Sequence, residues 1–285
     1  MKYRGRVFTK DEMDWIQGAI AENSGESRRF FSRITCEKLN WRKPDGGLKD
    51  MACRCAFLKM EKDGILNLPP LKKAYFQTKK GPLRTSAGEP CSEIALHVKD
   101  LKYLRIEVAV SKEEKSLWSE LVDRYHYLGY TRLGGAQLRY LIRADNHVLG
   151  CVGWSSAAWK TSTRDKFIGW DPGQRERNLH YIVNNSRYLI LPWVKVKCLA
   201  SKVLAMSARQ LPKDWMRVYG YSPVMLETFV EKQKFLGTCY KAANWLPMGE
   251  TVGRGRNDRY NNLTVPVKTV WIYPLHSNFR KKLCI

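Results

Sequence analysis

Most of the side chains in this sequence that could do chemistry lie between residues 126 and 256, interleaved with aromatics in a way that a plain core does not require. Asp165, in RDKFIGW, and Glu227, in ETFV, are acids suited to acid–base work or to holding a metal. Two acids without a third partner make a weak metal signal, and pairing with Arg164, Arg175 or Arg187 would satisfy them equally well. His126, in HYLGY at 126–130, has the side chain that titrates near neutrality, so it suits a base or a phosphate contact. A histidine at a helix end beside tyrosines serves packing as readily. Arg164, Arg175, Arg177 and Arg187 are the candidate nucleic-acid contacts of this region, with planar guanidinium forks that meet phosphate oxygens in pairs, or else they lie on a solvated face or in a salt-bridge network. Trp154, Trp159, Trp170 and Trp245 either fill a core or offer faces to unpaired bases, at about 1–3 kcal/mol per stacked base. Asn244 adds an amide beside Trp245. The run GETVGRGR at 249–256 sets Arg254 and Arg256 among glycines whose bare amides can approach a phosphate, and read plainly it is a flexible hairpin.

The charge balance points the same way. Fifty Lys and Arg stand against 27 Asp and Glu, a formal +23 over 285 residues. Internal salt bridges cannot absorb that surplus, so it leaves a positive surface that attracts polyanions over about a Debye length. Nucleic acid, and DNA in particular, is the expected partner; docking on an acidic partner protein as an assembly subunit is the plainer alternative. With 44% hydrophobic and 12% aromatic residues the chain is not a disordered one, and its length suits one or two domains. The apolar run at 188–194 is too short to span a bilayer and contains Pro192, so no membrane is expected. The start MKYRGRVFTKDEMDW has no apolar leader core, and the eight cysteines are scattered, with Cys53 and Cys55 forming CxC rather than a zinc pair. Reduced thiols and a cytoplasmic address follow as expectations. Walker GxxxxGK[ST], HxE…CxxC and GxSxG patterns are all missing, which argues against a self-powered motor, a zinc deaminase and a serine hydrolase of the elbow type.

The elements that must position these residues divide in two. Residues 1–71 read as helical: Thr9 is an N-cap followed by acids, a second helix starts near Ser27, WRKPDGG at 41–47 is a turn, and a third helix begins near Leu48. This order suits a helix-turn-helix or winged-helix module, with Arg42, Lys43, Lys49 and Arg54 on the turn and third helix as DNA contacts. A small packing bundle is the alternative. Residues 72–93 are basic and rich in Gly, Pro and Ser, a linker by composition. From 94 to 285 strands alternate with helices. Strands are expected over 101–110, 137–143, 148–155, 187–194, 223–230 and 267–273, and helices over 113–128, 199–215 and 238–245. That pattern gives an α/β domain with a mixed sheet covered by helices on both faces.

Taken together, HYLGY, GAQLRYLI, RDKFIGW, NNSRYLILPWV, LASKVL, ETFV, GTCYKAANW and GETVGRGR make the sequence resemble the DruA family, a component of Druantia anti-phage systems whose domain also occurs in transposon-associated proteins. The resemblance covers most of the chain. It implies a role in phage defence or mobile-element biology, alongside other defence proteins that include a helicase-like partner able to supply energy. The C-terminal part is similar, more weakly, to the GNAT acyltransferase fold. Residues 235–249 look like that family's fourth-helix region, where a tyrosine, here Tyr240, serves as general acid toward the CoA thiolate. That resemblance implies acyl-CoA as a cofactor and group transfer to a nucleobase or other amine, with Glu227 or His126 as base. The sequence departs from it where a Gly-rich loop would cradle the CoA pyrophosphate: KVKCLAS at 195–201 has no glycine, leaving Lys195 and Lys197 to supply charge. A fold in any case does not carry a function with it.

Overall fold

The computed structural model describes residues 1–70, 81–253 and 265–285. The chain divides into two compact units, Met1–Lys79 and Lys80–Ile285. In the first, a short hairpin of β1 (Lys2–Tyr3) and β2 (Arg6–Val7) precedes α1 (Lys10–Glu22), α2 (Arg28–Lys38) and α3 (Asp50–Lys62). Thr9 closes a capping box: its hydroxyl accepts from the Glu12 N–H at 3.2 Å and its own N–H donates to Glu12 Oε2 at 3.1 Å. Phe8, Met13, Ile16, Phe31, Trp41, Phe57 and Met60 are buried together. Between α2 and α3 the chain forms a small hairpin, with Arg42 bridged to Leu48 and Lys49 N–H donating to Trp41 O at 3.0 Å.

The second unit is built on one seven-stranded sheet in the order β3-β4-β5-β6-β7-β9-β8. The strands are β3 (Arg105–Val108), β4 (Gln137–Ala144), β5 (His147–Ser156), β6 (Ile182–Ile190), β7 (Met225–Glu231), β8 (Leu246–Glu250) and β9 (Lys268–Pro274). Every neighbouring pair is antiparallel except β6 and β7. A parallel pair needs a crossover, and α7 (Leu199–Tyr219) supplies it. The remaining helices are α4 (Lys112–Tyr125), α5 (Ser162–Ile168), α6 (Pro172–Asn178), α8 (Thr238–Ala242) and α9 (Phe279–Leu283).

Helices lie on both faces of the sheet, as adjacent residues of β4 show. The Tyr140 hydroxyl donates to Asp214 of α7 at 2.9 Å, whereas Arg139 donates to Ser119 of α4 at 3.3 Å. Successive side chains of a strand point to opposite faces, so α7 and α4 are on opposite sides. The α4 side is tightly closed. A Cβ at Gly153 would stand 2.8 Å from the Trp118 ring, so this strand position needs glycine for the helix to approach.

Residues 81–93, a linker by composition, are partly docked. Thr85 donates its N–H and its hydroxyl to the fully buried Glu120 of α4, each at 2.7 Å, and Arg124 lies 2.9 Å from the same carboxylate. Burial pushes the Glu120 carboxyl up, but the Thr85 donors and Arg124 outweigh it and the net displacement is downward. Further on, Ile94 and His97 bridge in parallel to Val194 and Lys197.

Candidate functional site

Two arginines sit inside the second unit in contrasting surroundings. The first is Arg164. β5 leaves the sheet at Ser156, and α5 follows and stops at Gly169, whose left-handed φ of 84° ends the turn. Arg164 and Ile168, four residues apart, are the buried residues of this helix, so Arg164 is carried inward with the apolar side. There it meets Glu227 in mid-β7; both side chains are completely inaccessible. Arg164 Nη1 donates to Glu227 Oε2 and to Ala158 O, each at 2.8 Å, and its Nε donates to Asp165 Oδ1 at 2.9 Å. Glu227 Oε1 accepts the Ala158 N–H at 2.8 Å. The Trp170 indole N–H donates to Asp165 Oδ1 at 3.1 Å, and Arg175 Nη1 reaches Asp165 Oδ2 at 3.5 Å.

This arrangement is a closed ion network. Both carboxylates are held by guanidinium and backbone or indole donors, so neither is placed as a free base. Among the described residues no group of three or more His, Cys, Asp or Glu is positioned to hold a metal. Arg164 and Trp170, read from sequence as nucleic-acid contacts, are buried and spent on this network, so neither offers its polar end to a surface-bound polymer. Only the outer end of the network reaches solvent. Trp159 is 58% exposed, with the Arg175 guanidinium 5.6 Å above its ring.

The second arginine is Arg187, at the point where the sheet opens. β6 and β7 are paired from Ile182↔Met225 to Asn185↔Thr228, and beyond that both strands continue without pairing to each other. Arg187 lies two residues past the last pair and is 9% exposed. Its Nε donates to Gly129 O at 3.3 Å, Nη1 to Ser186 O at 2.7 Å and Nη2 to the Thr131 hydroxyl at 2.7 Å. All three acceptors are neutral. His126, at the end of α4, lies on the same 126–131 turn, and its Nδ1 accepts the Leu128 N–H at 3.2 Å, which leaves the ring proton on Nε2. Burial first, and the nearby Arg187 charge second, push this imidazole down to about 4, so it is neutral at ordinary pH. Burial, reinforced by Glu231, raises the adjacent Tyr127 hydroxyl above the usual phenol range.

Tyr240 faces the opening from α8. It is 6% exposed, donates to Asn185 Oδ1 at 2.7 Å, and packs edge-on against Trp245 at 5.2 Å. Burial raises its hydroxyl well above the phenol range. Lys195 and Lys197 are exposed ahead of α7, but the Lys195 N–H is taken by Ile94 O at 2.9 Å. Every residue from 195 to 201 carries a Cβ, and the backbone here is bridged to 94–97. These residues do not form the bare amide cradle that the CoA pyrophosphate needs.

The remaining candidates are dispersed. Asn244 is exposed in a left-handed turn with φ 62°. Arg177 is exposed and donates to Ile285 O at 3.1 Å. Arg254 and Arg256 lie outside the described residues. In the first unit Arg42 and Lys43 are exposed on the hairpin, whereas Lys49 is half-buried and Arg54 lies 3.2 Å from Asp50. Tyr127 and Thr131, which flank Arg187, carried no sequence signal of a role.

The fold, with one mixed sheet that opens beside a parallel pair and helices on both faces, defines an α/β protein. The family model described as "Druantia protein DruA" matches residues 59–270, well over half of the sequence. The chain belongs to the DruA family, which associates it with Druantia anti-phage defence. No curated protein matches it. Solved structures similar to part of it include aminoglycoside acetyltransferase AAC(6')-Ib in complex with coenzyme A, at 11% identity over 63% of this chain and 98% of that one, TM-score 0.40. A Bacillus subtilis acetyltransferase in complex with CoA is 10% identical over 61% and 99%, TM-score 0.35. A probable GNAT-family acetyltransferase from Chromobacterium violaceum is 10% identical over 73% and 97%, TM-score 0.38. Likeness of this degree carries nothing about activity. No helix among the described residues is long and apolar enough to cross a membrane.

Proposed function

We propose that this protein is the DNA-contacting component of a Druantia-type anti-phage system, presenting nucleic acid to other proteins of that system. The Trp159–Arg175 pair carries the reading. A large indole left 58% exposed, with a guanidinium over its ring, is costly to leave in water and well suited to an unpaired base. Arg177 lies on the same helix as Arg175, and α9, which packs on α6, adds Arg280, Lys281 and Lys282. Arg177 and Arg280 also donate to Ile285 O and Phe167 O, and as surface cations the group adds to the positive potential that a nucleic-acid backbone would meet. In the first unit, Arg42 and Lys43 are a second candidate phosphate contact. A helicase-like partner would supply the energy, since the sequence has no Walker loop.

Fluorescence anisotropy on single- and double-stranded DNA across a salt series tests this. Log affinity should fall linearly with log salt, and Trp159→Ala should weaken single-strand binding by about ten-fold, as loss of one stacked base implies. Reversing Arg175 and Arg177 to Glu should weaken binding across all sequences. Absence of binding at low salt would sink the proposal and make an acidic protein partner the next candidate.

A further inference from the structure

Arg187 departs from an ordinary rule of protein interiors. A buried charge is normally paired, because leaving it unpaired in a poorly polarisable site costs several kcal/mol. Arg164 obeys the rule with two carboxylates. Arg187 does not: among the described residues it has no ion pair within 4.0 Å, and its partners are two carbonyls and a hydroxyl. The buried carboxylate on the facing strand, Glu231, is engaged by Lys234 at 3.1 Å. Three of the five guanidinium protons are used, which leaves one on each Nη. The surroundings are rich in donors, and the Glu231 carboxylate acts on Tyr127 but makes no ion pair with Arg187 among the described residues. His126 is neutral with its proton on Nε2, and Tyr127, 39% exposed, stays protonated. The Tyr127 ring packs against His126 and Phe235, with Lys234 4.8 Å above its centre. A position rich in donors, with a buried guanidinium that no carboxylate among the described residues pairs, at the opening of a sheet, suits an anion.

We propose that the opening between β6 and β7 binds a single phosphate group, taken by the free protons of Arg187 with His126 Nε2–H and the Tyr127 hydroxyl as neutral donors at its rim. Phosphate fits this set better than carboxylate, because its tetrahedral oxygens can meet a guanidinium edge and two further donors at once. The phosphate could come from a free nucleotide or from a strand; the strand source alone rests on the DNA reading above.

The test uses the full chain at 0.15 M salt, where exposed lysines hold phosphate weakly. Inorganic phosphate, adenosine 5′-monophosphate, adenosine, and an oligonucleotide with and without a 5′-phosphate are titrated by calorimetry. The Arg187 Nε–H resonance, assigned through Arg187→Lys, is followed in parallel. Phosphate and the phosphorylated ligands should bind one to one and move this resonance to saturation, while adenosine leaves it in place. Arg187→Gln should weaken binding by about ten-fold or more through loss of a charge-assisted fork, and Arg177→Gln should not. Equal binding by monophosphate and phosphorylated strand supports the site with a nucleotide source, and preference for the phosphorylated strand supports it with a strand source. An unmoved Nε–H resonance in the wild type, which requires no variant to fold, would overturn the proposal. So would phosphate binding that persists undiminished in Arg187→Gln. DNA binding that fails in anisotropy while phosphate still moves Arg187 would remove only the strand source.

Discussion

Arg164 and Arg187 are both buried guanidinium groups on the same sheet, yet the protein treats them in opposite ways. Arg164 is enclosed by Glu227 and Asp165, so its charge is neutralised within the fold and its role is structural. Arg187 is held only by neutral oxygens, so its charge is left over. Burial alone therefore does not distinguish an architectural arginine from a binding one; the sign of its partners does.

Substitutions can break this contrast. The largest effect should come from Glu227→Ala, which strands Arg164 as an unpaired buried cation and should cost about 3–5 kcal/mol in urea unfolding of the second unit. Arg187→Gln should cost less, about 1–3 kcal/mol for the acceptors it leaves, because it also removes an uncompensated charge. If the two variants were equally destabilised, the contrast would fail. Smaller still is Glu120→Gln, expected at about 1 kcal/mol, since the amide oxygen still accepts from Thr85 while the ion pair with Arg124 goes. Its clearest sign would be faster amide exchange at Thr85. The Glu120 contribution in the parent is present above the ordinary carboxylate range and lost as pH falls through its depressed folded value.

The finest effect is a pH slope. His126 stays neutral in the fold down to about 4 but takes a proton near 6.5 when unfolded. Between those values the unfolded state binds more protons, so stability falls as pH falls. His126→Asn should reduce proton uptake on unfolding in that window by up to about one proton. An identical slope in parent and variant would show that the imidazole is not held neutral.

Much of the architecture was legible where local signals agreed. Thr9 with Glu12 announced α1, and the apolar repeat from Leu199 announced α7, which runs on to Tyr219 past the expected end at 215. The strand expected over 187–194 lies instead at Ile182–Ile190. Asn184, Asn185 and Ser186 read as loop, but Asn185 is buried and its amide donates to Gly153 O and Arg187 O, which lets an amide-rich stretch run inside the sheet. Pro192 then stops the strand before 194. α5 and α6 were missed because seven residues show too little periodicity, although Asp171 with Pro172 and Gln174 is a capping box that marks the second of them. β8, with Pro247 and Gly249, has the composition of a turn and survives only as an edge. The site was less legible than the fold. Sequence lists the acids and arginines together, but which arginine receives both acids depends on a helix four residues to the turn meeting a strand more than sixty residues later.

The Thr85–Glu120 contact also sets where the second unit can be cut. A fragment starting after residue 90 would expose a fully buried carboxylate that has lost two donors, keeping only Arg124 to hold it. A fragment starting at residue 81 keeps both donors. Anyone separating the halves to ask which one touches DNA would do well to leave those ten or so residues on the sheet, or a failure to fold will be mistaken for a failure to bind.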